Sequence, residues 1–144
     1  AIGTKRPLPP ANHSLKEKRP EGMVPEDFRH EQCLVIREKG KTVLFSGCAH
    51  RGILNTLDEF NKRYGKDPDY VVSGFHTMNH SRGYTDEEIN DIIVTAHELK
   101  KHDTVFFTCH CTGTEPYEKM KAIMNEQLNY LHCGEQLILT EPVV

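Results

Sequence analysis

The stretch Thr42-Val43-Leu44-Phe45-Ser46-Gly47-Cys48-Ala49-His50-Arg51-Gly52-Ile53-Leu54-Asn55 decides the fold, because it leads from an apolar strand through a histidine-containing turn into a helix. The preceding apolar run, residues 33–38, is joined to it by the short turn Lys39-Gly40-Lys41. So short a turn predicts an antiparallel hairpin. On the other side, apolar residues at helical spacing over residues 52–64, closed by Gly65, predict an amphipathic helix.

The remainder of the chain repeats this alternation of strand and helix. A strand is predicted at residues 70–73, and Thr85-Asp86-Glu87-Glu88 has the form of a capping box that opens a second helix. A strand at residues 104–108, a helix near residues 115–129 and a final β segment at Leu137-Ile138-Leu139 follow. The order ββαβαβαβ predicts an α/β fold in which one mixed sheet carries helices on one face.

Composition narrows the class of protein. The 144 residues are 37% hydrophobic and 27% charged, with a net charge of −3, which is typical of a globular domain and offers no basic surface for nucleic acid. No apolar run is long enough to span a membrane or to form a signal peptide, and five cysteines at irregular spacing favour reduced thiols. We therefore expect a cytoplasmic protein. Residues 1–30 are rich in proline and are predicted to be an extended arm or linker, with the domain at residues 31–144.

Three histidines follow apolar strands closely: His50, His76 and His110. A single histidine is more often a surface or core residue than a ligand, but three at successive strand ends predict a metal or active site at one edge of the sheet. Cys109 and Cys111 are predicted to be buried thiols or neighbours of the site, because metal-binding cysteines usually come as spaced pairs and adjacent strand side chains point to opposite faces.

Several short strings together resemble one family. Glu31-Gln32-Cys33-Leu34-Val35, Ser46-Gly47-Cys48-Ala49-His50-Arg51-Gly52-Ile53-Leu54-Asn55, Gly74-Phe75-His76 and His110-Cys111-Thr112-Gly113 resemble the C-terminal half of metallo-β-lactamase-superfamily proteins. The resemblance is to the branch that includes a dihydropterin-aminobenzene phosphate synthase and related metal-dependent hydrolases. It extends from about Pro25 to Leu139.

The resemblance implies half of an αββα sandwich, with a metal-activated water that acts on a phosphorylated or pterin-like small molecule. It implies that His50 and His110 are metal ligands. For His76 it implies substrate binding or proton transfer as the preferred role, with metal binding as the alternative. The substrate-binding candidates are Gly52, Asn55, Thr112 and Gly113. Cys48 and Cys109 are site neighbours. The expected metal is zinc, with iron or manganese as alternatives.

The superfamily's His-x-His-x-Asp-His string does not occur in these residues. The favoured hypothesis is therefore a C-terminal portion that is active only with a complementary N-terminal half. A second hypothesis is a noncatalytic module that binds a partner or a second copy of itself through the exposed sheet. A third is an autonomous enzyme that uses His76 and Cys109, for which no nucleophile and base spacing gives support.

Overall fold

A hairpin of β3 (Cys33–Glu38) and β4 (Lys41–Ser46) begins a five-stranded sheet in the computed structural model, which describes residues 2–3, 5–79 and 83–139. The remaining strands are β5 (Tyr70–Ser73), β6 (Val105–Thr108) and β7 (Leu128–Tyr130), and they follow in that spatial order. β3 is antiparallel to β4, whereas β4 to β7 are all parallel. The predicted hairpin and the mixed sheet are confirmed.

The first long helix, α1 (Ile53–Tyr64), forms for the reasons that its sequence indicates. Leu57 and Phe60 lie one turn apart and are buried against the sheet. Gly65 ends the helix in the left-handed conformation, with φ of 70°, and its N–H donates to the carbonyl of Asn61 at 2.8 Å. A side chain with a Cβ would be strained at that φ, so glycine supplies the stop.

The second long helix, α2 (Asp86–Leu99), starts at the predicted capping box. The Glu88 N–H donates to the Thr85 hydroxyl at 3.2 Å, and the Thr85 N–H donates to the Glu88 carboxylate at 2.8 Å. Each residue thus satisfies a backbone amide of the other at the end where helix amides lack partners.

The C-terminal region differs from the sequence prediction. The third helix, α3 (Thr114–Met124), stops earlier than predicted, at Asn125 with φ of 51°, and residues 128–130 form strand β7 instead of the end of the helix. Leu128 is fully buried in parallel pairing with Phe106, so packing on the sheet overrides the helical pattern. The predicted β segment at residues 137–139 is wrong: it forms no strand, and Ile138 is 81% exposed.

All three helices pack on one face of the sheet. Leu44, Val71, Phe106 and Leu128 are paired across four neighbouring strands and form the floor of the hydrophobic core. On β3 the side chains of the opposite face are open, with Leu34 59% and Ile36 42% exposed. The predicted arrangement of helices on a single face is confirmed, and it leaves an apolar sheet surface on the other side.

The N-terminal region contains structure that the sequence pattern did not predict. Strands β1 (Lys16–Arg19) and β2 (Gly22–Pro25) form an antiparallel hairpin. The buried guanidinium of Arg51 donates to the backbone carbonyls of Ile2, Asp27 and Phe28. These residues are thereby fixed to the turn that precedes α1. The assignment of residues 1–30 as an extended arm or linker stays a prediction. No helix in the described ranges has the length and apolarity needed to cross a bilayer.

Candidate metal centre

The carboxyl ends of β4, β5 and β6 lie at one edge of the sheet, because these strands are parallel. The chain leaves β4 toward Cys48 and His50, leaves β5 toward His76, and leaves β6 toward His110 and Cys111. Such an edge is where open α/β sheets place their ligands. The structure therefore brings together the histidine motifs that are far apart in sequence.

At this edge, the side chains that could bind a metal form two groups that share one thiol. Ligand atoms of Cys48, His50 and His76 all lie within 4.8 Å of one another, and so do those of Cys48, His110 and Cys111. The two histidines predicted as metal ligands, His50 and His110, fall in different groups. Cys48 lies where the groups meet, and His76 joins His50.

Glu31 fixes the position of His50. Its Oε1 accepts hydrogen bonds from the His50 backbone N–H at 2.6 Å and from Nδ1 at 2.9 Å, while Oε2 accepts from the Arg51 N–H at 3.0 Å. Phe28 stacks on the imidazole with ring centroids 5.0 Å apart. With Nδ1 engaged by the carboxylate, Nε2 is the ring nitrogen of His50 that is available to a ligand. Glu31 was not predicted as a site residue, since no local spacing links it to a histidine nineteen positions later.

His76 is held in a form suited to metal binding. Its Nδ1 is one of the buried side-chain atoms in the described residues that have no hydrogen-bond partner. Burial, followed by electrostatic repulsion from His50 when that ring is protonated, lowers the pKa of His76 and so favours its neutral form. Its centroid lies 4.3 Å from that of His50. A buried imidazole nitrogen without a hydrogen-bond partner costs free energy unless a ligand satisfies it.

Burial disfavours the thiolate forms of Cys109 and Cys111 at this edge. Burial, together with a hydrogen bond to Cys48, raises the pKa of Cys111 to about 12. Burial also raises the pKa of Cys109. The alternation argument used for these two cysteines fails because β6 ends at Thr108 and residues His110–Thr112 form a 3-10 turn, which directs Cys111 toward Cys48.

Three of the six non-glycine residues with positive φ in the described part of the chain lie at the same edge. Ala49, His76 and His110 have φ values of 50°, 48° and 51°, in the left-handed region that residues with a Cβ rarely adopt. Each such residue costs on the order of 1 kcal/mol or more, and strain of this kind clusters at functional sites. Each of these three residues is a ligand candidate or lies directly beside one.

No family model matches the chain. It is 30% identical over 103 residues to the 7,8-dihydropterin-6-methyl-4-(β-D-ribofuranosyl)-aminobenzene-5'-phosphate synthase of Methanocaldococcus jannaschii, covering 70% of this chain and 32% of that protein. An uncharacterized protein of the same organism is 27% identical over 130 residues, covering 79% of this chain and 46% of the relative. The crystal structure of a metal-dependent hydrolase of the β-lactamase superfamily superimposes with a TM-score of 0.67 at 27% identity. This chain therefore has the metallo-β-lactamase-superfamily fold.

The similarity covers 88% of this metallo-β-lactamase-like chain and 47% of the solved hydrolase. The chain thus spans about half the length of that neighbour, and less than half of both curated relatives. The predicted resemblance is confirmed. The metal dependence of the neighbour suggests a divalent metal, and the group formed by Cys48, His50 and His76 fits one, since imidazole and thiolate are ordinary ligands of zinc and related ions.

The predicted substrate-binding residues of this metallo-β-lactamase-like chain follow the ligand candidates in sequence: Gly52 and Asn55 come after His50, and Thr112 and Gly113 come after Cys111. The Asn55 amide accepts from the Arg6 N–H at 2.8 Å and donates to the Arg6 and Arg51 carbonyls. The buried Thr112 hydroxyl accepts from the Phe75 N–H at 2.8 Å. Both side chains thus have protein partners that account for their burial. Gly52 precedes α1, and Gly113 precedes α3. Substrate contact by any of these four residues stays a prediction.

Proposed function

We propose that this chain contributes one wall of the active site of a metal-dependent hydrolase, and that Cys48, His50 and His76 bind its divalent metal. The observation that carries the proposal is the mutual approach of the three ligand atoms to within 4.8 Å, with a buried and unpartnered Nδ1 on His76. A satisfied core histidine would have a hydrogen-bond partner at that nitrogen.

Each residue of the group has a defined task in this proposal. Glu31 holds the ring of His50 so that Nε2 points away from the carboxylate. His76 supplies a second imidazole ligand, in place of the substrate-binding or proton-transfer role that was predicted first for it. The metal supplies Lewis-acid activation of water or of a substrate oxygen when bound. Zinc is the proposed ion, since a thiol among the ligands favours it over manganese or magnesium.

The substrate is proposed to be a small phosphorylated or pterin-like molecule. Support comes from the relative that shares 30% identity, whose name describes the synthesis of a dihydropterin aminobenzene phosphate. The site is also a shallow edge with half-buried ligands, so a substrate would need further walls to be enclosed.

We propose that activity requires a complementary half that covers the open sheet face and adds the remaining ligands. The exposed Leu34 and Ile36 on that face support the need for a cover. The same observation favours the second candidate function, a noncatalytic module that dimerises through the open face. The two candidates differ in what covers the face: a chain that carries ligands, or a second copy of this one.

The test measures the solution mass of the purified chain together with its hydrolysis of bis(4-nitrophenyl) phosphate in the presence of Zn²⁺. A chain that is inactive alone, and that becomes active when mixed with the N-terminal half of the solved hydrolase, would support the hydrolase. Activity of the mixture that is unchanged by His76→Ala, and that is lost only when the protein is unfolded, would contradict the proposed role of His76 as a metal ligand. The control is His97→Ala, which alters an exposed helical histidine.

A stable dimer that binds no metal, and that dissociates when Leu34→Lys is introduced, would instead support the dimerisation module. Lysine at an exposed strand position disfavours edge and face association without disturbing the helical side of the sheet. Turnover by the unmixed monomeric chain would contradict the requirement for a complementary half.

A further inference from the structure

A cavity of about 520 Å³ lies between the first turns of α3 and the edge strand β7, and its volume falls in the range of small-molecule sites. Aromatic and acidic side chains line it: Phe107, Tyr117, Tyr130, His132, Glu118 and Glu135. Within the described part of the chain, no lysine or arginine lines this cavity, and neither do Cys48, His50 and His76. The cavity therefore combines aromatic rings with negative charge, and it is separate from the proposed metal ligands.

The aromatic rings stand at defined angles to one another. Tyr117 in α3 and Tyr130 in β7 have ring centroids 5.3 Å apart and planes inclined at 75°. The ring of His132 lies 4.9 Å from that of Tyr130, and the His132 N–H donates to the Glu135 carboxylate at 2.8 Å, which fixes the turn. The face of an aromatic ring carries partial negative charge and attracts a cation within about 6 Å of its centroid. Two nearly perpendicular rings thus form a corner that suits a cation.

Two carboxylates add negative charge to this corner. Burial, followed by the charge of Glu118, raises the pKa of Tyr117, so this carboxylate acts directly on the phenol. The neighbouring cation Lys119 is paired with Glu115 at 3.5 Å. Glu118 and Glu135 are both exposed, so they attract a cation to the cavity without having to be desolvated themselves.

We propose that this cavity binds a small quaternary ammonium ion. The alkylated cation contacts the rings of Tyr117 and Tyr130, while Glu118 and Glu135 supply the countercharge. A quaternary ammonium ion has no N–H group, so it needs no hydrogen-bond acceptor, and aromatic faces are the groups that recognise it. A primary ammonium ion has three N–H donors to satisfy, which rings do not do. The site uses none of the proposed metal ligands, so it stands independently of the proposed hydrolase.

NMR titration of the isotope-labelled, unmodified chain with choline tests the site. The comparison ligand is 3,3-dimethylbutan-1-ol, in which a neutral carbon replaces the ammonium nitrogen. We expect choline to bind saturably, with shifts centred on α3 and β7, and the alcohol to bind at least about tenfold more weakly, because only the cation is attracted by the ring faces and the carboxylates. Equal affinity for the two ligands would identify an ordinary apolar groove and overturn the proposal. Absence of choline binding would overturn it as well.

Substitutions of Tyr117 test the ring itself. Tyr117→Leu should weaken choline binding by about two- to fivefold, which is the contribution of one ring at an exposed site. Tyr117→Phe keeps the ring and loses only the hydroxyl, so it should bind choline as the unmodified chain does. Tyr64→Leu is the matched control, because Tyr64 is 39% exposed on α1 and does not line the cavity. Equal loss of binding in Tyr117→Phe and Tyr117→Leu would refute the role of the ring face.

The metal-site variant separates this proposal from the hydrolase. His76→Ala should leave choline binding unchanged, since His76 does not line the cavity. Choline binding that is lost in folded His76→Ala would contradict a separate site. Zinc binding that depends on His76 in a chain that does not bind choline would refute the ammonium site and leave the hydrolase intact.

Discussion

Replacing Gly74 by alanine should push the Cys111 sulfur out of its position. An ideal Cβ at residue 74 would lie 2.6 Å from Cys111 Sγ, against 3.4 Å from the Cys109 carbonyl oxygen and 3.6 Å from Cys48 Cα. Favourable contacts between heavy atoms begin near 3.5 Å, so the sulfur must move by roughly 1 Å. It is only 6% exposed and has little room to do so.

Overpacking of this kind costs about 1–3 kcal/mol, and we expect Gly74→Ala to lower the free energy of unfolding by that amount. Urea denaturation followed by circular dichroism measures it, as a lower midpoint at constant slope. Gly47→Ala is the matched control, since no atom lies within 4 Å of its Cβ position. That substitution should be neutral or stabilising by up to about 1 kcal/mol, because alanine restricts the unfolded chain.

A double-mutant cycle attributes the cost to one atom. The Cys111→Ala variant lacks the sulfur, so adding Gly74→Ala to it should lower the free energy of unfolding by less than about 1 kcal/mol. The difference between the effects of Gly74→Ala in the two backgrounds is the coupling energy of the contact. An undiminished cost in the Cys111→Ala background would refute the contact on which the reasoning rests.

Three further substitutions test other parts of the structure. Glu31→Gln should weaken Zn²⁺ binding by about 10–100-fold, because the amide holds the His50 ring less firmly than the carboxylate does. Isothermal titration calorimetry measures the affinity, and an unchanged affinity would exclude a positioning role for Glu31. Arg51→Lys should destabilise the fold by about 1–3 kcal/mol and speed proteolysis within residues 5–30, since lysine cannot reach the carbonyls of Ile2, Asp27 and Phe28 together. Equal proteolysis rates for the variant and the unmodified chain would contradict this. Burial would raise the pKa of Asp67, but hydrogen bonds from His102, Asn61 and the Asp103 N–H outweigh it and lower that pKa. The stability that Asp67 contributes is then full above the ordinary carboxyl pKa of about 4 and is lost as the pH falls through the lowered value. Asp67→Asn should therefore cost more at pH 7 than at pH 3 in urea midpoints, and a cost independent of pH would refute the assignment.

Local signals made most of the fold predictable. The turn at Gly40, the stop at Gly65 and the capping box at Thr85 each act within a few residues, so their consequences can be derived from sequence spacing. Parallel strands then place the residues after them at one edge, which is why the histidine motifs could be grouped before the structure was known.

The remaining features depend on contacts between distant residues. Leu128 carries a helical pattern but pairs with Phe106 as a strand, because the edge of β6 was available to it. Glu31 contacts His50 across nineteen positions, and the turn at residues 110–112 rotates Cys111 toward Cys48. No periodicity encodes these contacts, so sequence reasoning could name the histidines but could not divide them into two groups.

The most direct test of the central claim is the zinc content of the 144-residue chain after equilibrium dialysis, compared among the unmodified chain, His76→Ala and the control His97→Ala. We predict that the unmodified chain and His97→Ala retain zinc to the same extent and that His76→Ala retains at least about tenfold less at the Cys48-His50-His76 group. Equal zinc in all three chains, or none in any of them, would contradict a metal centre built on His76.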